Sequence, residues 1–153
     1  MSLRDEIKQK RPFGSVEQEA LLNIQRTASV FGYAIAERLK PYGLTPKQYN
    51  VLRILRGAGE PGLCRHEIRS RLIDEVPDVT RLLDRLEDAG LIERERSEED
   101  RREVRTSITA RGLALLERLE EPVTEMHRVH LGHMSKEELR TLVRLLETAR
   151  AKL

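Results

Sequence analysis

Residues 92–108 read IERERSEEDRREVRTSI and place eleven charged side chains in seventeen positions. The two ends of this stretch alternate with the period of two that belongs to strands. The other apolar stretches repeat at three and four, the period of a helix face. A tip made of Glu98, Glu99, Asp100, Arg101 and Arg102 cannot enter a core without stranding its charges. The chain is therefore expected to fold as a helical body bearing one projecting hairpin. That tip is either a solvated turn or a contact with something outside the protein.

A chain of 153 residues makes one domain with one moderate core. Aromatic residues are only 3% of the chain and charged ones 35%, so the core has to be built from Leu, Ile, Val and Ala, which favours helices. No apolar run approaches the roughly 20 residues that span a bilayer, and Met1 to Arg11 is too polar for a signal peptide. The single Cys64 excludes an internal disulfide and fits a reducing compartment. A cytoplasmic location with no membrane partner is expected. The net charge of +2 is by itself too small to point to nucleic acid.

Along the chain, residues 1–14 read as a flexible polar lead-in, with Pro12 and Gly14 breaking any early helix. Ser15 and Gln18 form a capping-box pattern, opening a first helix over 15–40 with Leu21, Ile24, Ala28, Phe31, Ile35 and Leu39 on one stripe. Pro41 and Gly43 end it. Thr45-Pro46-Lys47-Gln48 starts a second helix, with Tyr49, Leu52 and Leu55 inward. A short third follows Cys64. Pro77 begins a fourth, with Val79, Leu82, Leu83 and Leu86 as its core face and Gly90 closing it. The hairpin comes next. Thr109 caps a fifth helix (Leu113, Leu116, Leu119, Val123, Met126) that Pro122 is expected to bend. Ser135 and Glu138 open a last one, striped by Leu139, Leu142, Leu146, Ala149 and Leu153.

One long helix, three short ones, a hairpin and two long helices describe a winged helix-turn-helix in a mainly α (α+β) fold, with the winged unit at 44–109 and helical flanks at 15–40 and 110–153. On the fourth helix, Arg81, Asp84, Arg85 and Asp88 lie opposite the leucines, with Thr80 on the flank. An apolar back and a polar front suit a helix that reads base edges and phosphates. Any amphipathic surface helix has such a front too.

Two stretches go further. LTPKQYNVLRIL and VTRLLDRLEDAGLIERERSEEDRREVRTSITARGLALL resemble the MarR family of transcriptional regulators, over residue 16 to the end. The most specific part is Val79 through Gly112: a T-R-L-L-D-R-L-E helix, G-L-I-E-R, a D-R-R tip and T-x-x-G. The resemblance implies a homodimeric repressor or activator that binds palindromic double-stranded DNA. Its fourth helix would enter the major groove, and its wing would reach the minor groove. Thr80, Arg81 and Arg85 would face base edges. Arg102 would enter the minor groove, where the negative potential favours a guanidinium, and Arg101 would add a phosphate or minor-groove contact. Asp100 would accept hydrogen bonds from an arginine and fix the tip.

Two features depart from the family pattern. Glu75-Val76-Pro77-Asp78 stands where relatives commonly have Ser or Thr at the start of that helix. Residues 76–108 hold seven Arg against ten acids, a net charge of −3. Acids suit the helix dipole there but repel phosphates, although Asp78 can accept from a cytosine amino group. Arg38, Lys40, Lys47, Arg53 and Arg56 supply a positive counterweight.

The stripes at Leu21, Ile24 and Ala28 and at Leu139, Leu142, Leu146 and Ala149 lie outside the winged unit. They either pack on each other within one chain or form a dimer interface. A twofold dimer would present two recognition helices about 34 Å apart, one turn of duplex.

For sensing, Cys64 stands at a helix N-cap beside Arg65 and His66, a setting that favours thiolate. Cysteines also often fill small buried sites. His127, His130 and His133 recur every three residues, and His127 and His130 share the interface-facing side. Such imidazoles can join a carboxylate or Cys64 around zinc, or be simply hydrogen-bonded. No cofactor is expected. The resemblance also implies a cleft for small aromatic acids, for which Phe31, Tyr49 and Arg53 are candidates. No phosphate-binding glycine loop, nucleophile elbow or metalloprotease signature is present, so an enzyme is not expected. The rival readings are a winged-helix protein–protein module and a metal- or thiol-responsive variant of the same fold.

Overall fold

A computed structural model describes residues 1–100 and 102–151. The elements run α1 (Leu3–Glu6), α2 (Val16–Leu39), a 3-10 turn (Lys40–Tyr42), α3 (Pro46–Ala58), β1 (Leu63–Cys64), α4 (Arg65–Arg71), α5 (Val79–Asp88), β2 (Ile92–Arg96), β3 (Val104–Ile108), α6 (Ala110–Leu131) and α7 (Lys136–Arg150). The six expected helices are α2 to α7, and the expected strands are β2 and β3. The fold is the mainly helical winged helix anticipated from the residues.

Local chemistry explains most boundaries. Thr45 Oγ1 accepts from the Gln48 N–H at 3.2 Å while Gln48 Oε1 accepts from the Thr45 N–H at 2.9 Å. Ser135 and Glu138 repeat the arrangement at α7. At α2 the reciprocal half is displaced: Ser15 caps Gln18, but Gln18 Oε1 takes the Gly14 N–H at 2.7 Å. α5 starts later than Pro77. Asp78 is its N-cap, accepting from the Arg81 N–H at 2.9 Å, because a carboxylate satisfies a free helix N–H and proline only lacks one. α6 runs through Pro122 and ends at Gly132.

Two elements escape the sequence patterns. α1 is a single turn held by a Ser2–Asp5 capping box, with Leu3 buried and Glu6 3.4 Å from Arg26, so the lead-in is partly structured. β1 is a two-residue strand that makes the sheet three-stranded in the order β1-β3-β2, pairing Leu63 with Thr106 and Cys64 with Arg105. Gly62 leads into it at φ 84°, with the Thr106 carbonyl 2.3 Å from where a Cβ would stand.

The core joins Leu39, Leu44, Val51, Leu52 and Leu55 to Ile68, Leu83, Leu86, Leu91 and Ile92, and closes on Leu116, Leu119 and Val123 of α6. Leu82 and Tyr49 are only half-buried, and Leu113 is exposed. The outer stripes stay uncovered. Leu21 is 57% and Ile24 40% exposed, Ala28 and Ala149 are exposed, and α7 buries none of its residues; Leu139, Leu142 and Leu146 are half-buried. Among the described residues the two stripes make no extensive contact with each other within one chain; Leu153 lies outside them. No described helix is long and apolar enough to cross a membrane.

Candidate nucleic-acid interface

The front of α5 is built as its periodicity requires. Val79, Leu83 and Leu86 are buried, which turns Thr80, Arg81 and Arg85 to the exterior. Arg81 and Arg85 share a shallow recess of about 360 Å³ with Thr45, Lys47 and Gln48 at the start of α3. Lys47 thereby joins the same cationic front. Thr80 Oγ1 accepts from Arg65 Nη1 at 3.0 Å, so α4 also contributes a guanidinium beside α5. Asp78 is committed to its capping bond, which leaves it one carboxylate oxygen for any outside donor.

The wing is a hairpin in which Ile92 pairs with Ile108 and Arg96 with Val104. Its tip is self-supporting. Ser97 N–H donates to the Glu103 carbonyl at 2.9 Å, and the Asp100 carbonyl accepts from the Glu103 N–H at 2.9 Å. Asp100 Oδ1 accepts from the backbone N–H of Arg102 at 2.9 Å. Asp100 thus holds the turn through the main-chain N–H of an arginine. Arg102 is exposed and, with Thr80, Arg65, His66 and Cys64, lines a cleft of about 640 Å³ between wing and α5. Arg101 lies outside the described residues.

The acid surplus of this region is partly absorbed inside the protein. Arg94 binds Asp84 Oδ1 at 2.7 Å and Glu87 Oε2 through Nε at 3.0 Å, with Nη2 also reaching Glu87. Arg105 binds Glu103 at 3.0 Å. The Glu87 carboxyl is held below its ordinary value, first by the hydrogen bond from Arg94 and against the opposing effect of burial. With Asp78 in a helix cap and Asp100 in the wing turn, five of the ten acids between 76 and 108 have internal partners. Asp84 consequently faces the wing and not the outer front. Arg65, Arg94 and Arg105 were missed as site residues. Strand alternation could have flagged Arg94, which falls on the same side as the buried Ile92.

Phe31, Tyr49 and Arg53 do converge. They line a cleft of about 560 Å³ walled by Ile35, Val123 and Met126, with His127 and His130 on the same wall system. Arg53 Nη1 donates to Tyr49 Oη at 3.1 Å, and the Phe31 and His130 rings are 5.7 Å apart. Ile73 and Asp74, from the segment between α4 and α5, close the outer side, and the Ile73 N–H donates to Asn50 Oδ1 at 2.9 Å. Cys64 lies instead in the wing cleft as the N-cap of α4, its N–H donating to Glu67 Oε2 at 2.8 Å. It is thus separated from His127 and His130. Among the described residues no three His, Cys, Asp or Glu side chains gather to hold a metal ion.

A sequence model of the MarR family matches residues 44–104. The chain is 32% identical over 139 residues to the HTH-type transcriptional regulator PecS of Dickeya dadantii (strain 3937), covering 90% of this chain and 84% of that relative. It is 30% identical over 128 residues to the homoprotocatechuate degradative operon repressor of Escherichia coli, covering 84% and 83%. Among solved structures, the MarR transcription factor from Planctomyces limnophilus is 42% identical with a TM-score of 0.69, over 90% of this chain and 99% of that one. A mutant MarR from E. coli complexed with operator DNA is 25% identical with a TM-score of 0.75, over 98% and 99%. With its winged unit, its flanking helices and these relatives in agreement, the chain belongs to the MarR family of transcriptional regulators.

Proposed function

We propose that this protein is a homodimeric repressor that occupies a palindromic site on double-stranded DNA, with α5 in the major groove and the wing in the minor groove. The observation that carries the reading is the outward set Arg81 and Arg85 on α5, with Arg102 across a cleft from Thr80. Arginine on guanine edges discriminates bases, and arginine in a narrow minor groove reads width. Relatives named as a repressor and as a MarR complexed with operator DNA support the same reading. Selection of bound genomic fragments would supply the operator. On it, Arg81→Ala should weaken binding by roughly 5- to 150-fold, the equivalent of about 1–3 kcal/mol. Arg102→Ala should weaken it as well. Unchanged binding in both variants would instead favour a protein–protein role for these surfaces.

The cleft around Phe31, Tyr49 and Arg53 is the place for an inducer, and its chemistry suits a small aromatic acid. Apolar walls would take the ring, and the Arg53 guanidinium the carboxylate. Benzoate and 4-hydroxybenzoate should release the operator from the wild type and not from Arg53→Ala. Equal release from both would exclude Arg53 from the site.

A further inference from the structure

The G-L-I-E-R stretch of the family pattern contains an arginine to which the reading above gives no role. We propose that Arg94 is the positioning residue that sets the angle between the wing and α5, so that Arg102 and the α5 front can engage one duplex together. This rests on the DNA-binding reading and goes beyond it.

Strand alternation puts Arg94 on the inner side of β2, in line with Ile92 (2% exposed) and directly across from Thr106 (1% exposed). From there its guanidinium spans Asp84 and Glu87, three residues apart on α5, and takes Glu87 with both Nε and Nη2. A planar fork held by two carboxylates defines a direction as well as a distance. Among the described residues no other side-chain hydrogen bond or ion pair joins α5 to the hairpin. The rest of that joint is apolar contact, such as Leu83 and Ile92, which is non-directional. On the opposite face of the ribbon, Arg105 donates to the Gly62 carbonyl at 3.2 Å and lies 3.9 Å from Glu67, tying β3 to β1 and α4. The wing base is therefore gripped from both sides, and only the Arg94 side reaches the recognition helix.

Leverage makes the angle matter. The hairpin register places Arg102 about four strand residues beyond the level of Arg94, about 13 Å at roughly 3.3 Å per residue. A tilt of about 10° at the base then moves Arg102 by about 2.3 Å, more than a third of the roughly 6 Å width of a minor groove. The charged form of Glu87 that the clamp requires is favoured by Arg94 itself.

The test uses full-length dimer and the selected operator. It compares Arg94→Gln, Arg102→Ala, their combination, and Asp84→Asn with Glu87→Gln, with melting curves to confirm folding. Arg94→Gln should erase hydroxyl-radical protection at the minor-groove positions while guanine N7 protection in the major groove persists. Its affinity should fall to within roughly twofold of Arg102→Ala, and the combination should add no more than that again, since two changes disabling one contact do not multiply. The paired acid variant should lose the same protection although it removes two negative charges beside the DNA. If Arg94 touches phosphate directly, the acid variant binds tighter with its wing footprint intact, and the losses in Arg94→Gln and Arg102→Ala multiply. Either result overturns the proposal. Should Arg94→Gln not fold, the acid variant alone decides. A wild type that binds no operator would defeat the DNA-binding reading, whereas a binding wild type with an unaffected Arg94→Gln would defeat only this one.

Discussion

Leu142→Glu combined with Leu146→Glu should leave a species of 17.7 kDa at every dilution and weaken operator binding by about a hundredfold or more. Both leucines are half-buried on a helix that buries none of its residues in one chain, and Leu21 and Ile24 on α2 are still more open. A leucine stripe along α7 and the outer turns of α2 is left open in one chain, as the proposed dimer interface requires. Two glutamates there would have to be desolvated for the helices to meet, which costs several kcal/mol. The loss of DNA binding follows without any change in the winged unit. Each half-site then has to be held separately, and the gain from tethering, typically a factor of 10² to 10⁴, is gone. Light scattering and operator titration read the two effects independently. A doubly charged variant that keeps a dimer mass would show that the stripe is covered by something else.

Gly62→Ala should cost about 3 kcal/mol of stability. At φ 84° an L-residue loses about 1–2 kcal/mol, and its Cβ would stand 2.3 Å from the Thr106 carbonyl oxygen and 2.9 Å from its carbon. These are backbone atoms of β3, so relief requires moving the strand and loosening β1. For a chain of this length the loss corresponds to a melting temperature lower by roughly 6–12 °C. Gly57→Ala makes the control. It lies within α3 and has nothing within 4 Å of a new Cβ, so alanine should stabilise by about 0.5–1 kcal/mol. Opposite shifts in two melting curves check both statements; equal shifts would contradict the strand contact.

What was legible in the residues follows from the range of the forces involved. Caps act over three residues, so Thr45 with Gln48 and Ser135 with Glu138 could be read directly. The leucine stripes and the hairpin's alternation are equally local, and they yield the fold. β1 has two residues and α1 four, too few to show a period. The same limit governs the site. Thr80, Arg81 and Arg85 could be placed on the exterior because helical phase alone turns them outward. Arg65 and Arg94 could not, since their meaning lies in partners on other elements: Thr80 for the one, Asp84 and Glu87 for the other. The net charge of −3 has the same blind spot: a sum over residues 76–108 counts Asp84 and Glu87 as free charges, while the fold pairs them with Arg94.

Ile73 and Asp74 belong at once to the rim of the inner cleft and to the short tether that delivers Asp78 to the head of α5. A ligand seated in the proposed cleft would touch the segment that anchors α5, which the Ile73 N–H ties to Asn50. If it loosens the proposed grip on DNA, thermodynamic reciprocity requires DNA to loosen the grip on the ligand by the same factor.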